Sequence, residues 1–304
     1  MSVFNGMKLF VCKVAAFILI MVVLDIAFGY AGRFIQANAK GGATARNEYI
    51  CRKMGSDVVV FGSSRCTHHY IPAIMEDSLC LSCYNAGTDG NGIILFFAKW
   101  KILSSRYYPK MIIYDIQESY DLLRGDNTKY LGDLRTYYEM PGVDSVMWSV
   151  DNKEKYKMFS WMYRYNSIWL QMLSDNIDPL SSDEMGFVGI DGTMTFDPGE
   201  HHYPDKVEYD PLKLYYLERL ILDCQEKGVA LVFCLSPMYK ARKTDLFSPL
   251  YALCAKYQVP LFDYYSDSRF TQKRDYFFDS VHMNRKGAMK YTSEIASQIK
   301  SKKI

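Results

Sequence analysis

Five short apolar runs limit what this chain can become. They are "DVVVF" (57–61), "LSCYNA" (81–86), "MIIYDI" (111–116), "VALVFCL" (229–235) and "PLFDYY" (260–265), with helical patterns between most of them. A half-exposed strand alternates apolar and polar residues, whereas these runs are continuous. Continuous apolar strands separated by helices predict a parallel sheet covered on both faces, in three α/β/α layers. Two helices are well marked. Asp210 caps one, Pro211 occupies its first position, Gly228 stops it, and Leu214, Leu217, Ile221 and Cys224 form its apolar stripe. The last helix starts after Asn284 and presents Ala288, Tyr291, Ile295 and Ile299 on one face.

The rhythm fails at both ends of the first half. Residues 14–32, "VAAFILIMVVLDIAFGYAG", are almost wholly apolar, preceded by Lys8 and Lys13 and followed by Arg33. That length suits an N-terminal transmembrane helix. A cleaved signal peptide is the alternative, with an apolar core at 14–24 and a small-x-small site at 29–31. The run outlasts a normal signal core, which favours the anchor. Asp25 is its one ionisable group, either partnered by another protein or close enough to the surface to hydrate. The expected organisation is a cytoplasmic N-terminus (1–13), the anchor (14–32), a polar linker (33–50) and one α/β domain (51–304). Between about 126 and 200 the alternation breaks, and three of the four tryptophans (Trp148, Trp161, Trp169) fall there among many tyrosines. This segment reads as a mostly helical insertion over one end of the sheet, its aromatics packing helices or stacking on sugar rings.

The net charge of +2 over 304 residues suggests no nucleic-acid partner. The eight cysteines are scattered. Cys80 and Cys83 form a C-x-x-C with no second Cys/His pair at zinc spacing, so they read as structural thiols. His68/His69 and His201/His202 are adjacent pairs, and adjacent histidines diverge in a strand or a helix, so no metal site is predicted. His68 and His69 read as a solvated loop with substrate contact as the rival. Gly87, Gly90 and Gly92 lie between strand and helix, but not as G-x-G-x-x-G. Neither a phosphate-binding G-x-x-x-x-G-K-[ST] nor a G-x-S-x-G elbow occurs.

Three pieces carry chemistry. "VVVFGSSRCTHH" (58–69) ends a buried strand in Gly62-Ser63-Ser64, where ligands bind in open α/β sheets. "FFDSVHMNRKG" (277–287) places Asp279 three residues before His282, so one loop can hold a carboxylate against an imidazole that takes a proton from serine. Phe277 and Phe278 could shield that loop from water. "NAGTDGNG" (85–92) offers backbone N–H groups for a developing negative charge.

Together these pieces resemble the SGNH (GDSL-type) hydrolase superfamily, over about residues 57–300 outside the insertion. The resemblance implies an SGNH/flavodoxin-like sheet, with Ser64 matching the nucleophile, Gly90 the oxyanion glycine, and Asp279 and His282 the closing Asp-x-x-His. Arg65 and Asn85 join the implied substrate-binding set. Two departures stand out. Ser63 replaces the acidic residue of Gly-Asp-Ser, and the third block, Gly-x-Asn-Asp, is absent. "YDIQESYD" (114–121) stands in its place, with Gln117 as its amide donor. The Gly-Ser-Ser-Arg form is similar to the membrane-anchored branch that includes D-alanyl transfer and alginate O-acetylation proteins. That branch implies an extracytoplasmic domain, no metal or organic cofactor, and a serine-dependent acyl-ester hydrolase or O-acyltransferase. Its expected partners are an acylated cell-envelope glycan or glycolipid, the lipid bilayer and a polytopic membrane acyltransferase. The rival is a catalytically degenerate glycan-binding scaffold serving such an acyltransferase. The missing block and Asp25 favour the scaffold; Ser64, Asp279 and His282 standing together oppose it.

Overall fold

A computed structural model describes residues 2–179, 184–199, 207–302 and 304. Among these, five strands form one parallel sheet: β1 (Val58–Gly62), β2 (Cys83–Asn85), β3 (Met111–Asp115), β4 (Ala230–Leu235) and β5 (Leu261–Asp263). Their order is β2-β1-β3-β4-β5, the doubly wound arrangement that reverses direction between β1 and β3.

The helices are α1 (Ser2–Ala37), α2 (Gly42–Arg52), α3 (Ser64–His69), α4 (Pro72–Leu79), α5 (Ile93–Ser104), α6 (Glu118–Asp121) and α7 (Val143–Val150). They continue as α8 (Glu154–Lys157), α9 (Trp161–Tyr165), α10 (Trp169–Ile177), α11 (Pro211–Lys227), α12 (Ser248–Tyr257), α13 (Ser268–Thr271) and α14 (Arg285–Lys302).

Both faces of the sheet are buried, which is why its strands are apolar without alternation. Val59, Phe61, Ile112, Tyr114 and Phe233 face α2, α5 and α11. Val58, Val60, Ile113 and Val232 face the other way, onto α4 and α14 through Met75, Tyr291, Ile295 and Ile299. The predicted stripe of α14 is buried throughout. On α11 the Asp210 carboxylate accepts from Leu212 N and Lys213 N, and Gly228 ends the helix at φ +68°. Leu214 of its expected stripe is half-buried, and Tyr216 and Leu220 take its place in the core.

Two expectations change. Residues 36–46 are not an extended linker. α1 runs on to Ala37, α2 begins at Gly42, and Thr44, Glu48, Ile50 and Cys51 are buried. Polar composition misled here because α2 buries Thr44 through bonds to Asp175 (2.9 and 2.7 Å) rather than through apolar contact. The insertion is largely helical, as expected, but its helices lie along α1, α2 and α5, while its residues 185–194 reach the carboxyl end of the sheet, where Asn85 N donates to Met185 O. α1 is long and apolar enough to cross a membrane, as an anchor or a signal sequence would be. All eight cysteines are free thiols, and Cys83 is buried at the start of β2.

Candidate active site

The candidate site lies beyond the carboxyl ends of β1 and β3, at the switch point of the sheet. β1 ends at Gly62, whose φ of +147° few residues other than glycine adopt. A Cβ there would lie 2.7 Å from the Asp115 carbonyl oxygen. This sharp exit turns the chain straight into α3, with Ser63 as its N-cap and Ser64 at its first position.

Asp279 and His282 share a tight loop closed by pairing between Phe277 and Met283. Within it the Val281 and His282 N–H groups both donate to Asp279 Oδ1 at 2.7 Å. The other carboxylate oxygen accepts from His282 Nδ1 at 2.9 Å. Because Nδ1 faces a carboxylate it carries the proton, and Nε2 presents its lone pair. Ser64 Oγ donates to that Nε2 at 2.8 Å. Burial opposes the Asp279 charge, but the His282 ring and the two N–H groups outweigh it and hold the carboxyl at about 2. Such a chain can draw a proton from a hydroxyl as that hydroxyl attacks an electrophile. Ser64 and His282 stay partly exposed, so a substrate can reach them.

The other expected site residues divide. Gly90 lies exposed at φ +69° in the loop after β2, where Thr88 N donates to Gly62 O at 3.0 Å. Gln117 follows β3 as Ser64 follows β1, each two residues past the paired strand ends Asp115 and Gly62. Its side-chain oxygen is buried without a hydrogen-bond partner. Arg65 and Asn85, by contrast, turn away from solvent. Arg65 is fully buried, donates from Nη2 to Ile116 O at 2.7 Å, and lies 3.9 Å from Asp115 and 3.4 Å from Glu118. Asn85 Nδ2 donates to the Cys66 and Tyr70 carbonyls at 2.8 Å each, and its Oδ1 accepts from Gly87 N at 3.1 Å. Both tie α3 to the sheet; the Asn85 amide is fully occupied, whereas Arg65 Nε and Nη1 are buried in the interior without hydrogen-bond partners. Of the two loop aromatics, Phe277 is core and Phe278 is exposed.

The histidine pair after Ser64 is not a solvated loop. His69 is fully buried and accepts the Met283 N–H on Nε2 at 2.8 Å, so it fixes the backbone just past His282. Burial, helped by the nearby His282 and Arg65, holds its pKa well below the ordinary value. His68 donates from Nδ1 to Val188 O at 2.7 Å, approaches Asp89 at 3.4 Å, and meets the His282 ring edge-to-face at 5.4 Å. Burial opposes a charge on His68, but Asp89 and the Val188 carbonyl raise its pKa.

Sequence reading also missed Asp121. This buried carboxylate accepts from Ile93 N and Gln117 N at 2.7 Å each and from Tyr114 OH at 2.8 Å, linking the loops after β2 and β3. Burial pushes it up to about 7. Its signal was the acidic residue closing "YDIQESYD", four positions after the glutamine.

Residues 185–194 of the insertion border the site. Asn85 N donates to Met185 O, Val188 N to Thr67 O and Arg285 N to Ile190 O. Among the described residues no cluster of three or more His, Cys, Asp or Glu has metal-binding geometry; His201 and His202 lie outside them.

No family model matches the chain, and no curated protein matches it. Among solved structures, the chain is similar to a protein from Desulfitobacterium hafniense DCB-2 described as a candidate lipolytic protein of the G-D-S-L family. The identity is 10%, the match covers 80% of this chain and 98% of that one, and the TM-score is 0.39.

Proposed function

We propose that this protein is an SGNH-type serine acyl-ester hydrolase or O-acyltransferase, membrane-anchored and acting on an acylated cell-envelope glycan or glycolipid. The observation that carries the reading is the unbroken hydrogen-bond chain Ser64–His282–Asp279, at 2.8 and 2.9 Å. Ser64 Oγ attacks the acyl carbonyl while His282 Nε2 takes the hydroxyl proton, and Asp279 stabilises the imidazolium that forms. The backbone N–H groups of Ser64 and Gly90 hold the oxyanion, with the Gln117 amide in place of the missing third block. Collapse breaks the ester C–O bond, and His282 returns its proton to the departing alcohol. Water or a sugar hydroxyl then attacks the Ser64 ester, again giving its proton to His282.

The glycan and the extracytoplasmic placement rest on the sequence resemblance. The degenerate-scaffold reading is less favoured, since a scaffold has no use for a serine hydroxyl aimed at an oriented imidazole.

Intact mass after treatment with a fluorophosphonate tests the reading. We expect a single adduct on the full-length protein, absent from Ser64→Ala. Turnover of a small acyl ester should fall by at least ~10³-fold in that variant with the fold unchanged. An adduct surviving in folded Ser64→Ala would overturn the assignment.

A further inference from the structure

α1 does not stand apart from the domain. Phe4 to Leu24 are exposed all round, but from Asp25 onward one face of the helix is covered by the insertion. Asp25 accepts from Ser160 Oγ at 2.7 Å, Trp161 N at 2.8 Å and Met162 N at 2.9 Å, so it caps α9 from another helix. Phe28 stacks on Trp169 at 4.2 Å, and Gly29 and Gly32 pack on Trp161 and Tyr165. The opposite face keeps Tyr30 and Phe34, each 71% exposed. The insertion exposes Phe159 (82%), Leu170 (81%) and Ile177 (82%) as well.

Two placements of a bilayer core of about 30 Å fit a helix rising ~1.5 Å per residue. One covers Phe4 to Leu24 and strands the exposed Lys13 near the centre of the membrane, where a lone charge is costly. The other runs from Lys13 to Phe34. It leaves lysine at one rim and, at the other, Arg33, whose guanidinium lies 4.2 Å over the Trp161 ring. Asp25 then lies ~13 Å inside the Phe34 rim, near the membrane centre, but unlike the exposed Lys13 it is hydrogen-bonded to three donors of the domain. The second placement also gives the exposed Tyr30, Phe34, Phe159 and Leu170 an apolar solvent. Leu170 follows Trp169, which stacks on Phe28, so the start of α10 lies within the outermost ~10 Å of the hydrocarbon, while its far end is tied through Asp175 to Thr44 of α2, past the Phe34 rim.

We propose that the domain-side half of α1, α9 and the start of α10 form a foot embedded in the bilayer, with Phe159 and Leu170 among phospholipid acyl chains. The inference rests on α1 being an anchor, and its test separates the two. Full-length protein with the exposed Cys12 and Cys80 changed to serine is placed in phosphatidylcholine vesicles. A single nitroxide is carried at Leu170→Cys, and in parallel samples at Phe159→Cys, Phe17→Cys or Tyr108→Cys. Collisions with oxygen and with a water-soluble nickel chelate are then measured. We expect the labels at 170 and 159 to match the one at 17, rich in oxygen and shielded from nickel at least fivefold relative to 108. Nickel access at 170 and 159 with 17 shielded would overturn the foot and leave the anchor standing. Shielding from both reagents would mean that protein, such as a second copy, covers this face, and would also overturn the proposal. Nickel access at 17 would remove the anchor and the foot together.

Discussion

Asp279 shows how one carboxylate sets the state of its neighbours. Three donors converge on it, so it stays ionised to about pH 2 and keeps the His282 proton on Nδ1. Its depressed pKa contributes stability that is complete above the ordinary aspartate value, ~3.9, and lost as pH falls towards 2. His69 works at milder pH. Its folded pKa lies below the unfolded ~6.5, so the folded state binds fewer protons and stability falls as pH drops below that value. From pH 7 to pH 5 the wild-type urea midpoint should therefore fall relative to that of His69→Gln, whose amide can still accept the Met283 N–H, while Asp121 and His68, with raised folded pKa values, shift both proteins alike in the opposite sense. An equal change in both proteins would place the pH sensitivity elsewhere. Ser64, Asp279 and His282 could be picked out in the sequence because their spacing is chemically unusual. Arg65 could not. It follows Ser64 in a helix, about 100° further round, and that rotation turns it from the crevice into the interior.

At the scale of elements, the turn from β1 into α3 is the critical joint. Gly62 is held at φ +147° against the Asp115 carbonyl, so an added methyl group meets both a forbidden backbone region and a 2.7 Å contact. Gly62→Ala should cost about 2–4 kcal/mol. Urea unfolding checks this, and ester turnover should fall further than stability because Ser64 moves with the turn. Wild-type stability in that variant would mean the turn relaxes at no cost. The strands and the caps of α11 were legible from local pattern. α2 was not, because its helix is specified by partners distant in sequence: Asp175 for Thr44, and Gln36 for Glu48 at 2.8 Å.

At the scale of the molecule, the apolar N-terminal helix and the insertion form one unit. Asp25 supplies the first turn of α9 with an acceptor from a helix more than 130 positions away. Asp25→Ala should cost about 1–2 kcal/mol. In full-length protein, hydrogen exchange at Trp161 and Met162 should quicken while β1, β3 and β4 stay protected. Unchanged protection at both amides would mean that ring packing, not the cap, holds α9 in place.

The sequence by itself determined the layered α/β architecture, the apolar N-terminal helix and the Ser64, Asp279 and His282 constellation. Each depends on periodicity or short-range spacing, which a linear pattern carries. Tertiary structure alone decided that Arg65, Asn85 and His69 support the site from inside, and that Asp121 links the loops after β2 and β3. It also decided that Asp25 is a helix cap. Those roles depend on which side chains meet across the fold, and burial then determines whether a polar group is a tie within the protein or a contact for something outside it.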